Sequence, residues 1–489
     1  MPVSFDQVPQ NLRTPGSYVE FNNELANAAS QSFKAFMFGQ KLASGGLPAG
    51  EPVRITNPLA AKAAFGQGSQ LALMVGAFLA ANAQTELWVV ALDDAAAGNA
   101  AACPITITTD ATAAGTLNVY FGGERVRIGV AKDEDKATTA SNLAAAINAN
   151  SDLPVTAAVN GTTAHQVDIT AKHKGEFMNG FDVRVNYYGE ALPEGLTVTT
   201  ANLTGGTANP DISTAIDAMG DAWFNWLVCP YTDTANLTLL KTELDSRWGA
   251  LRQIDGRAFT AISGSHAQMG TFGDGHNSPQ LSILGTGFSP TPPFVAASIN
   301  AAVASFSLGI DPARPLQTLV LPGFKAPKVA QQLGQSERNL LLYDGISTFT
   351  VDGDGTCRIE RQITSYQENS QGLEDASYLN INTPETLSRI RFEQRAMLAQ
   401  RYPRHKLASD GNNIPPGQAM VTPKVVKGAF LDLCKTVFIP RGWVEDYAQY
   451  SETLIVERDN TDRDRINWRD VPNLVNQARV FAGKQQFIL

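Results

Sequence analysis

Between about Cys103 and Leu203 the chain changes its period, and that change limits its possible folds more than any other feature. Ile105-Thr106-Ile107, Thr116-Leu117-Asn118-Val119-Tyr120 and Val126-Arg127-Ile128-Gly129-Val130 each set apolar residues two apart. That is the spacing of strands in a sheet with one wet face. Further strands are expected over 155–159, 166–170, 181–187 and 197–200. One helix is expected over 136–148, with Asp133, Glu134 and Asp135 at the end where they favour the dipole. On either side the texture differs. A near-continuous apolar run at 87–92 suits a strand covered on both faces. Apolar strands at 33–39, 223–229, 258–262 and 280–284 alternate with helical stretches at 58–82, 209–219, 234–248 and 292–306. That rhythm argues a largely parallel sheet wrapped by helices. The alternating stretch therefore reads as a small, separately folded β-rich domain inserted into an α/β domain.

At 489 residues the chain is too long for one compact core. The formal net charge of −9 speaks against bulk attraction to nucleic acid or an anionic membrane. No apolar run approaches the roughly 20 residues of a membrane span. The opening MPVSFDQVPQN lacks the basic head and apolar run of a signal peptide, so folding in a cytoplasm is expected. Cys103, Cys229, Cys357 and Cys434 lie far apart with no CxxC or Cys/His cluster, which reads as buried, inert thiols.

Both ends read as arms. Pro2, Pro9 and Pro15 forbid a continuous helix, and Ser17-Tyr18-Val19-Glu20-Phe21 is a short β-prone run. The other end stops on Phe487-Ile488-Leu489, all large and apolar, so this subunit's core or another chain must cover it. Before it come a hairpin signal at 346–366 around Asp352-Gly353-Asp354-Gly355, and a helix opened by Thr383-Pro384-Glu385. A second helix is expected at 423–438, and a strand pair at 451–457 and 465–468. The expected division is an arm at 1–22, an α/β domain in two parts (23–102 and 206–340) around the insert 103–205, an α+β C-terminal domain at 341–473, and an arm at 474–489.

Motifs for chemistry are sparse. The Asp352–Gly355 run lacks a Glu at the twelfth position of a calcium loop, since Glu360 is off that spacing, so a hairpin turn is the better account. His266 and His276 are placed on a glycine-rich loop after a buried strand, where an α/β site would lie. Yet the sequence has no G-x-S-x-G, phosphate loop, H-E-x-x-H or G-x-G-x-x-G. No catalytic residue, metal or cofactor is expected. Arg389, Arg391, Arg395, Arg401, Arg404 and Lys406, with His405, face only Glu385 and Glu393. They form either a solvated helix face or a positive rail for an acidic partner.

Several runs carry a resemblance. Arg401-Tyr402-Pro403-Arg404-His405-Lys406-Leu407, Pro416-Gly417-Gln418-Ala419-Met420-Val421-Thr422-Pro423-Lys424 and Leu454-Ile455-Val456-Glu457-Arg458-Asp459 are the first three. Asp470-Val471-Pro472-Asn473-Leu474-Val475-Asn476-Gln477-Ala478-Arg479-Val480-Phe481 is the fourth. With Val8–Gly16 and Glu86–Asp94, they resemble the Mu-like family of bacteriophage tail sheath proteins. The resemblance implies a subtilisin-like α/β core without a catalytic triad. It further implies six-fold rings stacked helically around a tail tube, contraction from a metastable extended state without nucleotide, and baseplate and tail terminator proteins as partners. The location would be the virion, after assembly in the host cytoplasm. Arms of neighbouring subunits would complete shared sheets by strand addition. The arm residues would be Tyr18, Val19 and Phe21, and Val475, Ala478, Val480, Phe481, Phe487, Ile488 and Leu489. The resident sheet would lie near 454–457 and 465–468, and the basic helix would touch the tube. The rivals are a subtilisin-fold hydrolase using His266 or His276, and a different virion structural or decoration protein.

Overall fold

The computed structural model describes residues 33–411 and 418–488, together with Thr14, Gly16 and Ser17. Tyr18, Val19, Phe21, Pro415, Pro416 and Leu489 lie outside the described residues. The described chain starts with β1 (Lys34–Gln40), β2 (Pro52–Arg54), α1 (Pro58–Phe65), α2 (Gln70–Ala81) and β3 (Glu86–Leu92). Asn57 and Ser69 cap the two helices through their side chains. Between the helices the chain turns at Gly66 and Gly68, whose φ values of 90° and 78° suit glycine.

The inserted stretch holds β4 (Ala100–Thr109), β5 (Gly115–Phe121), β6 (Glu124–Val130), α3 (Lys136–Ala149), β7 (Val155–Val159), β8 (Gln166–Lys174), β9 (Val183–Val185) and β10 (Thr197–Thr199). They form two antiparallel sheets, ordered β10-β4-β8-β7 and β6-β5-β9, with α3 packed against strands of both. A separately folded body was the expectation. The packing is instead continuous, because Leu117, Val119 and Ile128 belong to the same apolar cluster as Leu71 of α2 and its neighbours.

The chain then returns through α4 (Ser213–Met219), β11 (Trp226–Val228), α5 (Thr234–Trp248), β12 (Arg257–Ser263), α6 (His266–Asp274), β13 (Leu281–Gly287), α7 (Pro293–Ile310), α8 (Gln335–Tyr343), β14 (Ile346–Val351) and β15 (Cys357–Arg361). The central sheet has eight strands in the order β15-β14-β13-β12-β11-β1-β3-β2. Its inner strands are parallel, and the edges β15 and β2 are antiparallel. Alternate residues divide its faces. Ala35, Met37, Trp226 and Val228 pack with α2 and α7, while Phe36, Phe38, Leu227 and Cys229 pack with α4 and α5. This is the fully covered parallel sheet that the apolar runs required. The segment around His266, expected as a loop, is helix α6, because Ser265 and Gln268 form a capping box. Its Gly273 is needed for packing, since a side chain there would strike the Asp344 carbonyl.

The C-terminal part holds α9 (Asn382–Arg401), β16 (Lys406–Leu407), β17 (Met420–Val421), α10 (Pro423–Leu433), a π-helical turn (Cys434–Phe438), β18 (Val444–Glu445), α11 (Tyr447–Thr453), β19 (Ile455–Arg458), β20 (Ile466–Arg469) and β21 (Asn473–Leu474). Its own apolar cluster gathers around Phe430, Phe438, Trp443 and Tyr450. The strand expected from residue 451 begins only at Ile455. Asp446 caps α11 through Gln449 N–H and keeps 451–453 helical.

Candidate functional site

Among the described residues, those singled out in the sequence fall in three places: α9 with the segment after it, the tail after β21, and α6 with the loop that follows it.

Near its start α9 is bound to the central domain by buried charge. Arg257, 1% exposed, donates to Ser388 Oγ (3.1 Å), and Ser388 donates to Asp255 Oδ2 (2.8 Å). Arg391 donates to Asp255 Oδ1 (3.0 Å) and the Trp248 carbonyl (2.8 Å). The guanidiniums of Arg257 and Arg391 both lie over the Trp248 ring, at 4.7 and 4.6 Å from its centroid. Burial pushes the Glu385 carboxyl up, against the opposing pull of Arg257 and Arg389. Arg389, 9% exposed, is pushed down to about 10 by burial. Arg389 and Arg391 thus face inward within the subunit. Of the basic set, Arg395, Arg401, Arg404 and Lys406 lie at the surface. Arg395 donates to the Gln253 carbonyl (2.9 Å), Arg401 pairs with Asp432 (2.7 Å), and Lys406 donates to Gln418 (3.0 Å). Charge counting on the sequence could not separate the two groups. The signal that could have done so is the helical spacing of Glu385, Ser388 and Arg389, which puts three polar groups on one buried stripe.

The tail is held at its root and then released. β21 pairs with β18 in this subunit, and Val475 N–H donates to the Trp443 carbonyl (3.1 Å). Gln477 and Arg479 turn inward and Ala478 and Val480 outward, the alternation of an extended strand. Gln477 donates to the Ala313 carbonyl (3.2 Å), and Arg479 to Gln317 and Asn382 (3.5 Å each). Beyond it Val480, Phe481, Phe487 and Ile488 are 86, 88, 85 and 100% exposed. Nearby, β19 pairs with β20 in a two-stranded ladder packed on α10. Trp468 rests against Phe430, with centroids 5.4 Å apart, and stays 43% exposed.

The histidines are occupied by backbone. His266 Nε2 lies 3.1 Å from the Glu337 carbonyl, and His276 Nδ1 lies 2.7 Å from the Phe272 carbonyl. The Ser265 hydroxyl bonds Gln268. Among the described residues no group of His, Cys, Asp and Glu could hold a metal ion. The four cysteines are buried and free. Burial pushes the thiols of Cys103 and Cys434 up to about 11 and those of Cys229 and Cys357 to about 12.

Residues 205–365 match the phage tail sheath protein central domain, and residues 374–488 the phage tail sheath C-terminal domain. Over 492 aligned residues, covering 100% of both chains, the protein is 43% identical to the Mu-like prophage FluMu tail sheath protein of Haemophilus influenzae. A sheath tail protein of Desulfitobacterium hafniense superposes with a TM-score of 0.48 at 13% identity, covering 94% of this chain and 100% of that one. The contracted helical sheath of the anti-feeding prophage gives 0.47 at 11% identity, covering 97% and 99%. The chain belongs to the Mu-like phage tail sheath protein family, on the strength of the full-length Haemophilus relative. It is accordingly a structural subunit of the tail sheath and a virion component.

Proposed function

We propose that this subunit polymerises as six-fold rings stacked helically around a tail tube, and that its two ends act as arms exchanged between subunits. The carrying observation is the run of exposed apolar side chains at Val480, Phe481, Phe487 and Ile488 beyond the anchored Arg479. Four such groups in water are a liability for a lone chain and a binding edge for an assembly. The arm would run as an added strand, with backbone hydrogen bonds giving affinity and alternate side chains giving register. The β19–β20 ladder is the natural receiver, with Trp468 and Ile455 exposed on it. The N-terminal arm, with Tyr18, Val19 and Phe21, would approach the same sheet from another subunit.

The extended sheath would be metastable. Contraction would exchange weaker contacts for more extensive ones between rigid subunits, without nucleotide, cofactor or catalysis. The sheet is read as a subtilisin-like core with no triad, in which His266 and His276 turn one ring nitrogen each to the backbone carbonyls of Glu337 and Phe272. Exposed Arg395, Arg401, Arg404 and Lys406 would meet an acidic tube, where a charged contact can release. Baseplate and terminator proteins would close the two ends of the stack, and assembly would take place in the host cytoplasm. Electron microscopy of purified protein lacking residues 1–21 or 474–489 tests arm exchange. Loss of ordered tubes is expected, and ordered tubes from either truncation would overturn it.

A further inference from the structure

The chain enters the described fold at Phe33 and leaves it at Arg479, and both places converge on one short segment. The Phe33 ring lies between Trp226, 5.7 Å away between centroids, and the guanidinium of Arg389, 3.5 Å from its centroid. Arg389 in turn donates to the carbonyls of Leu308 (3.0 Å) and Gly309 (3.4 Å). These are last-turn carbonyls of α7, which have no partner within the helix and lie at its negative end. At the other root, Arg479 donates to Asn382, while the Asn382 amide donates to the carbonyls of Pro312 (2.8 Å) and Arg314 (2.7 Å). Gln477 reaches the Ala313 carbonyl, and Gln317 donates to the Ala478 carbonyl (3.5 Å). The segment 308–317 is therefore gripped from both roots. Asn382 and Arg389 stand within roughly the first two turns of α9. Immediately after Phe33 the chain becomes β1, paired on both sides by β3 and β11.

We propose that Asn382 and Arg389 are positioning residues that splice the two ends of the chain into one load-bearing path through 308–317 and the start of α9. A pull on one arm would then reach the other without passing through the β19–β20 ladder. This role rests on arm exchange, because only exchanged arms would carry tension.

The test is constant-force pulling of the full chain in an optical trap, with handles at its two ends, on wild type, Asn382→Ala and Arg389→Gln. The control geometry places the handles in the Asn160-Gly161 and Asp354-Gly355 turns. Removing a charge-assisted grip should speed first release about tenfold in the end-to-end geometry. In the control geometry the rate should be unchanged. Should Arg389→Gln fail to fold, Asn382→Ala decides alone. Equal acceleration in both geometries means a merely structural role and overturns the proposal, as does no acceleration in either. The trap reads single chains, so its result is independent of assembly. Ordered tubes from a chain lacking 474–489 would sink arm exchange and leave the measured path standing.

Discussion

The inserted strands leave the central sheet, and the C-terminal tail leaves the small β18–β21 pair, and the two meet their surroundings differently. Where the insert rejoins the sheet, polar groups from the two sides are matched. His173 Nδ1 lies 2.7 Å from Asp94 Oδ1, and Gln70 N–H donates to His173 Nε2 (3.2 Å), which puts the imidazole proton on Nδ1. Gln40, fully buried at the end of β1, also donates to Asp94 (2.7 Å). Further along, Lys62 pairs with Asp152 (2.8 Å) and Lys325 with Glu124 (2.6 Å), and Tyr187 donates to the Ala326 carbonyl (2.6 Å). This junction sits where the strand order reverses about β1, the place where open α/β sheets usually take a ligand. Here the insert's own His173 fills it. The tail is matched only as far as Arg479 and then presents bare apolar side chains. The difference separates parts matched within the subunit from a part whose apolar side chains the subunit leaves uncovered.

Breaking the junction should have the largest effect on the isolated subunit. Asp94→Ala leaves the buried Gln40 amide, His173 Nδ1–H and Lys174 N–H without their shared acceptor. Each buried donor left unmade is costly, so a loss of about 2–4 kcal/mol in urea unfolding is expected. A loss below about 0.5 kcal/mol would mean that water replaces the carboxylate and that the junction is not a tight match.

The pH dependence of the same contact is a smaller effect of defined sign. Burial alone would raise the Asp94 carboxyl. The hydrogen bond from His173, with help from Lys174 N–H and Gln40, outweighs it and holds the group below its ordinary value. A depressed folded value means that the unfolded chain binds the proton first. The stabilisation is then complete above the unfolded value of about 3.9 and is lost as pH falls through the folded one. The stability difference between wild type and Asp94→Asn should therefore be flat above about pH 5 and shrink below about pH 4. A gap that widened on acidification would contradict this assignment.

The legible parts of the sequence were those where one period ran long enough to decide. The two-residue alternation at 126–130 became β6, and the apolar run at 87–92 became β3, because burial on one face or two leaves that mark directly. The Asp352-Gly353-Asp354-Gly355 turn was legible from turn chemistry, with Gly355 at φ 85°. Helix α6 was hidden by its glycines, whose purpose is the approach of Asp344 from a distant segment. The inward face of α9 was hidden for a related reason. A buried arginine and an exposed one are the same letter, and only the arrival of Asp255 and Trp248 distinguishes Arg391 from Arg404. Contacts made by residues far apart in sequence decide such places.

The smallest effect on the subunit should come from the tail, and there the comparison is sharpest. Phe481 and Phe487 are 88 and 85% exposed, so replacing both by Ser removes no packing from the lone chain. Urea unfolding of the doubly substituted subunit should stay within about 0.5 kcal/mol of wild type. In an assembly where a neighbour covers them, each ring buried is worth about 1.5–3 kcal/mol. Losing two should raise the protein concentration needed for polymerisation about a hundredfold or more, as read by sedimentation. The same pair of measurements on Asp94→Ala should give the opposite pattern, a weakened subunit whose surviving folded fraction polymerises with normal affinity. If Phe481→Ser with Phe487→Ser left the polymerisation threshold unchanged, the exposed rings would have no receiver on a neighbour. The contrast between a completed junction and an uncompleted tail would then lose its functional meaning.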